Sequence, residues 1–162
     1  MKHYSRRMDS PVGKLTLIAN DHSLVALLWE NDDPKRFRVP PVESSEEHLV
    51  LDRAEAQLNE YFQGRRTLFD VPYEFYGTDF QKEVWEALSR IPYGKKRTYL
   101  DIAKAVQSPK ACRAVGAANG KNPLSIIIPC HRVVGADGKL TGFAGGLKAK
   151  KFLLDLESRQ RH

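Results

Sequence analysis

The chain has 162 residues, 41% apolar and 28% charged, with a formal net charge of +6, a composition that fits a soluble globular protein of one domain or two small ones. No apolar run is long enough to cross a bilayer, and Met1-Lys2-His3-Tyr4-Ser5-Arg6-Arg7 lacks an apolar signal core, so the expectation is an intracellular, cytoplasmic protein with no membrane partner. Two cysteines, Cys112 and Cys130, exclude a disulfide framework and a zinc site built from thiols alone.

In chain order, Lys14–Ala19 and Leu24–Trp29 flank the turn-rich Asn20-Asp21-His22-Ser23 and predict a β-hairpin. Residues 2–8 add a third strand, giving an antiparallel three-stranded sheet. Asn31 to Pro41 is charged and proline-bearing and reads as an exposed loop. Ser44-Ser45-Glu46-Glu47 reads as a capping box that opens a helix through Tyr61-Phe62, with Gly64 past its end. Arg65 to Tyr76 has no helical period and reads as extended chain or linker. A second unit starts near Gly77, which divides the chain into residues 1–76 and 77–162: an α/β protein of two small domains.

In the second unit, Thr78-Asp79-Phe80-Gln81 caps a helix with Phe80, Val84, Trp85, Leu88 and Ile91 at helical spacing, stopped by Pro92. After the turn Tyr93-Gly94, Thr98-Tyr99-Leu100-Asp101 caps a short helix through Val106. Ser108-Pro109 opens another, Ser as N-cap and Pro at the first helical position, running to about Asn119. Two short helices this close make a helix-turn-helix candidate in a mostly helical domain. Beyond Gly120 and Asn122-Pro123, the apolar Ile126-Ile127-Ile128 delivers Pro129-Cys130-His131-Arg132. Gly135 to Gly146 holds five glycines and reads as a loop, and Leu147 to Glu157 as a final amphipathic helix.

Charge separates the halves. Residues 1–75 carry 10 Lys/Arg against 13 Asp/Glu, and residues 76–162 carry 16 against 7. The second half is the part that would seek a polyanion, nucleic acid above all; the alternative is a solvated basic face. Cys130 beside His131 can form a soft nucleophile, because the thiolate is the reactive species and an adjacent imidazole can take its proton. Side chains adjacent on a strand point to opposite faces, however, so the pair interacts only if the backbone turns there. A buried cysteine that merely packs is the other reading.

Ile128-Pro129-Cys130-His131-Arg132-Val133, Asn122-Pro123, Arg113-Ala114-Val115-Gly116-Ala117-Ala118, Gly142-Phe143-Ala144-Gly145-Gly146 and Phe80-Gln81…Val84-Trp85…Ile91-Pro92-Tyr93-Gly94 together closely resemble the O6-alkylguanine-DNA alkyltransferases. The likeness is dense from about Gly77 to Glu157 and general over residues 1–76, where the family has a small ribonuclease-H-like domain. It implies a single, irreversible transfer of an alkyl group from O6 of guanine, or O4 of thymine, in double-stranded DNA to Cys130, with no cofactor and no metal. His131 would deprotonate the thiol through a water, Glu157 would hold His131, and Asn122 would act as the hinge of the active-site segment.

The target base must leave the stack to reach a buried thiol. By the same resemblance Tyr99 crowds the 3′ phosphate and supplies a proton to the departing guanine, while Arg113 fills the vacated space. The second helix would enter the minor groove, where the small residues Ala111, Ala114, Gly116, Ala117 and Ala118 permit close approach. Ser108 and Gln81 are phosphate-contact candidates, and Val133, Phe143 and Ala144 would line the pocket with Tyr99. Phe143-Ala144 stands where some members have Tyr-Ser, so tolerance of alkyl groups larger than methyl is expected. Cys112 has no assigned role, and the protein is expected to act as a monomer. Three rivals stay open: a non-repairing alkyltransferase-like DNA binder, against which Cys130 argues; a Cys-His hydrolase, which leaves the DNA-binding features idle; and a transcription regulator, which leaves Cys130 unexplained.

Overall fold

The computed structural model describes residues 1–44 and 47–159. β1 (His3–Met8), β2 (Leu15–Ala19) and β3 (Leu24–Leu28) form an antiparallel meander. One face of the sheet sends Leu15, Leu17, Leu24 and Leu27 into the main core, and the other packs Ile18, Val25 and Ala26 against Phe37. Burial on both faces explains why Leu24–Leu28 is continuously apolar instead of alternating.

The expected three-stranded antiparallel sheet needs correction. A fourth strand, β4 (Val42–Ser44), pairs parallel with β1, so the sheet is mixed, in the order β3-β2-β1-β4. Its three residues are all exposed and follow Pro40-Pro41, so it buries no face and leaves no alternation to read.

α1 (Leu49–Phe62) lays Leu51, Ala54, Leu58 and Tyr61 on the sheet. Its cap is His48, whose Nδ1 accepts from the Leu51 amide at 3.3 Å, and not the expected serine box. Ser44 belongs to β4, and Ser45 and Glu46 lie outside the described residues. Gly64, at φ +75°, follows the C-cap Gln63 as expected.

In the second half, α2 (Asp79–Ser89) has the expected capping box of Thr78 and Gln81. β5 (Arg97–Thr98) leads directly into α3 (Tyr99–Ala105), itself boxed by Thr98 and Asp101. α4 (Cys112–Gly120) begins three residues later than Ser108-Pro109 suggested. Residues 108–111 close a turn, the Ala111 amide donating to Ser108 O at 2.9 Å; Ser followed by Pro is as much a turn signature as a helix cap. β6 (Val133–Val134) pairs parallel with β5, which fixes the entry to α3 beside the cysteine segment. α5 (Leu147–Arg159) closes the fold. The two halves share one core: the Leu27 amide donates to Pro123 O at 2.8 Å, and Trp29 Nε1 donates to the Ser125 hydroxyl at 3.1 Å. Among the described residues no helix is long and apolar enough to cross a membrane.

Candidate active site

Ile126-Ile127-Ile128 is not a strand. The chain folds back on itself, with the Ile128 amide on Leu124 O and the Cys130 amide on Ile128 O, each at 2.8 Å. Ile126 pays for the reversal with φ +74°, a left-handed conformation that costs a β-branched residue about 1–3 kcal/mol. Buried Asn122 ties the fold-back together, its Nδ2 donating to Ile128 O at 2.8 Å and its Oδ1 accepting from the Leu124 amide at 3.0 Å. Cys130–Arg132 then forms one 3₁₀ turn, which supplies the change of direction that the Cys-His pair needs.

Cys130, His131, Asn122 and Glu157 are all buried, and the structure brings His131 and Glu157 into direct contact. His131 Nε2 lies 2.6 Å from Glu157 Oε2. Glu157 also receives Arg132 through Nε at 2.8 Å and Nη2 at 3.0 Å, the Tyr61 hydroxyl at 2.6 Å and the Gly94 amide at 3.2 Å. Arg132 is fixed in turn by the Ile91 carbonyl and the face of Tyr93. His131 Nδ1, by contrast, has no hydrogen-bond partner among the described residues.

Electrostatics assign the protons. Burial pushes the Glu157 carboxyl up, but hydrogen bonds from His131 and Arg132 and the Arg132 charge outweigh it, holding the group well below the carboxylate range. Burial pushes His131 down; Glu157 opposes this, and the Arg132 charge cancels part of that opposition. The imidazole is therefore neutral, with Nε2–H donating to Glu157 and the Nδ1 lone pair free. Burial raises the Cys130 thiol, against the polar side chains of Asn122 and Ser125 and the charges of Arg36 and Lys150. Tyr61 is raised by burial and by Glu157, so its phenol stays a donor.

The remaining expected residues lie around this centre. The Tyr99 hydroxyl bonds Thr141 Oγ1, and its ring packs over Gly116 of α4, 3.8 Å from where a Cβ there would stand. Val133 is buried in β6, and Phe143 and Ala144 are half-buried in the glycine loop. Arg113, Ala114 and Ala117 are exposed on α4. Ser108 sits in the turn before α4. Gln81 spends its side-chain oxygen on the Thr78 amide at 3.0 Å, a capping role. Among the described residues no group of three or more metal-ligating side chains stands together.

Sequence reasoning missed Tyr61, Arg132 and Arg36. Arg36 is buried, donates to Asn122 O and to Leu27 O, and is neutralised by Asp32. Arg132 stood within the Pro-Cys-His-Arg motif, and a buried glutamate demands such a partner. Tyr61 and Arg36 gave no local signal.

The family model described as 6-O-methylguanine DNA methyltransferase, DNA binding domain, matches residues 79–159, and that of the ribonuclease-like domain of the same proteins matches residues 3–75. A methylated-DNA–protein-cysteine methyltransferase of Mycobacterium tuberculosis is 48% identical over 159 residues, 97% of this chain and 93% of the relative. One of Methanosarcina barkeri is 48% identical over 150 residues, 93% of this chain and 94% of the relative. The crystal structure of M. tuberculosis OGT in complex with DNA superposes with a TM-score of 0.89 at 45% identity, covering 97% of this chain and 94% of that one. With both halves matched in order around the Cys130 centre, this chain belongs to the 6-O-methylguanine DNA methyltransferase family.

Proposed function

We propose that this protein repairs DNA by moving the alkyl group of O6-alkylguanine, and of O4-alkylthymine, onto Cys130, one group per molecule. The observation that carries the reading is the buried thiol beside a neutral imidazole whose Nδ1 is unpaired and whose Nε2 is held by Glu157. The Cys130 proton passes to His131 Nδ1 through a water, and Glu157 stabilises the imidazolium as it forms. The thiolate displaces at the alkyl carbon, the C–O bond breaks, and its electron pair stays on the guanine. Tyr99 passes a proton to that guanine and is reprotonated from the relay. The products are an S-alkylcysteine and a normal base, so the protein is spent.

A buried Cys130 demands an extruded base. We assign α3 and α4 to the duplex as a helix-turn-helix that faces the minor groove, with Arg113 filling the stack and Ser108 near the phosphates. Exposed Arg113, Ala114 and Ala117 on α4 support this, since small side chains let a helix approach the groove floor closely. Gln81 is the weakest contact because its oxygen is committed to the cap. Val133, Phe143 and Ala144 line the alkyl and base pocket, whose apolar pair suits groups larger than methyl. The division at residue 76 assigns duplex and chemistry to 77–162 and support of the site to 1–76. The protein acts as a cytoplasmic monomer.

The test is a duplex labelled in the O6-methyl group of one guanine. One equivalent of label on the protein, abolished in Cys130→Ala, supports the proposal. Turnover without labelling would point to a hydrolase, and binding without transfer to a non-repairing relative.

A further inference from the structure

Lys150, in the first turn of α5, is fully buried, and no step of the transfer described above uses it. A lysine is almost never fully buried unless its ammonium has partners, so those partners show what the charge holds in place. Lys150 Nζ donates to Thr141 O at 3.3 Å and stands 6.0 Å from the centre of the Phe143 ring, within cation–π range. Phe143 also meets Trp29 edge-on, with centroids 5.3 Å apart. Two backbone turns frame Thr141 in the glycine loop. The Gly138 amide closes one on Gly135 O at 2.8 Å, and the Gly146 amide closes the other on Phe143 O at 2.9 Å.

While its carbonyl is held from α5, Thr141 turns its hydroxyl to the hydroxyl of Tyr99, with which it forms a hydrogen bond. Tyr99 opens α3, and its ring packs over Gly116 of α4. One threonine thus joins the glycine loop, the buried lysine and the phenol at the head of the two short helices. We infer that Thr141 is a positioning residue for the transfer: pinned by Lys150 through its carbonyl, it donates its hydroxyl hydrogen to the Tyr99 oxygen and leaves the phenol hydrogen free for the guanine. The inference rests on Tyr99 being the proton donor, as proposed above.

The direction of the bond follows from that role. A hydroxyl has one hydrogen, and a phenol that gave it to Thr141 would have none for the base. With Thr141 donating, the Tyr99 O–H bond breaks, an N–H bond forms on the departing guanine, and the hydrogen on Thr141 stays where it is. The phenol oxygen gains negative charge in that step, and a hydrogen bond to a charged oxygen is about twice as strong as one to a neutral oxygen. The Thr141 bond therefore strengthens as the proton leaves, which is the kind of contact that lowers a barrier.

The experiment uses the full chain, with single-turnover methyl transfer from a duplex bearing O6-methylguanine and duplex affinity measured alongside. Thr141→Val, which exchanges the hydroxyl for a methyl group, should slow transfer by about three- to tenfold with affinity unchanged. Thr141→Ser keeps the hydroxyl and should restore most of the rate. In a Tyr99→Phe background, Thr141→Val should cause no further loss. Lys150→Met should slow transfer and, by unpinning the loop, speed tryptic cleavage after the exposed Lys139 several-fold ahead of the other lysines. Full-rate transfer by Thr141→Val, or losses that multiply with Tyr99→Phe, would overturn the inference, and unchanged cleavage in Lys150→Met would overturn the pin. Failure of the unsubstituted protein to accept methyl, with Lys139 still released by Lys150→Met, would instead reject the transferase reading alone.

Discussion

Tyr61, on α1 of the first half, and His131, in the 3₁₀ turn of the second, meet the same oxygen of Glu157, each at 2.6 Å. The carboxylate that holds His131, the proposed general base, is thus itself held across the two halves. This gives the first half a chemical contribution, since its phenol sets the position of Glu157 and through it the free nitrogen of His131.

Tyr61→Phe removes one donor and leaves Arg132, His131 and the Gly94 amide on the carboxylate. A hydrogen bond to a charged group is worth about 1.5–3 kcal/mol, so a loss of that order is expected in urea unfolding. Single-turnover methyl transfer should slow several-fold while duplex affinity is kept. Unchanged transfer with full loss of stability would confine Tyr61 to a structural role.

Arg132 neutralises Glu157 with two hydrogen bonds, so Arg132→Met leaves a buried carboxylate without its cation. Breaking a buried pair in this way costs about 3–5 kcal/mol. Glu157 would then draw His131 toward its protonated form, and an NMR titration should show the imidazole pKa rising. Arg132→Lys keeps the charge but loses the fork, so its loss of stability should fall between the two.

Stability against pH follows from His131 and Glu157. His131 is held neutral below its unfolded value of about 6.5, so in that window the unfolded chain binds the extra proton and stability falls as pH falls. Glu157, depressed in the fold, adds a second loss as pH drops below about 4.3, the unfolded glutamate value. Urea midpoints should therefore decline between about pH 7 and 5, and His131→Gln should flatten that limb while leaving the lower one. A limb unaffected by His131→Gln would contradict the neutral assignment.

Which of these features were legible in the sequence depended on their range. Cys130, His131, Asn122 and Glu157 lie in segments whose motifs are local, and helix caps such as Thr78-Gln81 and Thr98-Asp101 announce themselves within four residues. Three features at local range were misread. β4 buries nothing and so carries no pattern. Ser108-Pro109 suits a turn as well as a cap. Ser44-Ser45-Glu46-Glu47 reads as a capping box, but Ser44 ends β4 and the cap of α1 is His48. Tyr61, Arg36 and Trp29 reach the site only through the packing of one half on the other, with partners 86 to 96 residues away, and no local pattern encodes that.

Arg113 is exposed on α4 and makes no contact needed for folding, so Arg113→Ala should leave stability within about 0.5 kcal/mol. Extruding a base costs a few kcal/mol, and with Arg113 in its proposed place in the vacated stack, its loss should slow transfer from duplex by roughly tenfold or more. Transfer from the free base O6-benzylguanine needs no extrusion and should be unchanged. Equal slowing on both substrates would remove Arg113 from the flipping step.

The central claim is that Cys130 is consumed by one alkyl group. The direct measurement is the mass of the Cys130-containing peptide after incubation with a several-fold excess of duplex bearing O6-methylguanine. The expected result is a gain of one methylene on that peptide, with restored guanine equal in amount to the protein and no further repair. Repair that exceeds the protein, or a methyl group found on Cys112 instead of Cys130, would contradict the account.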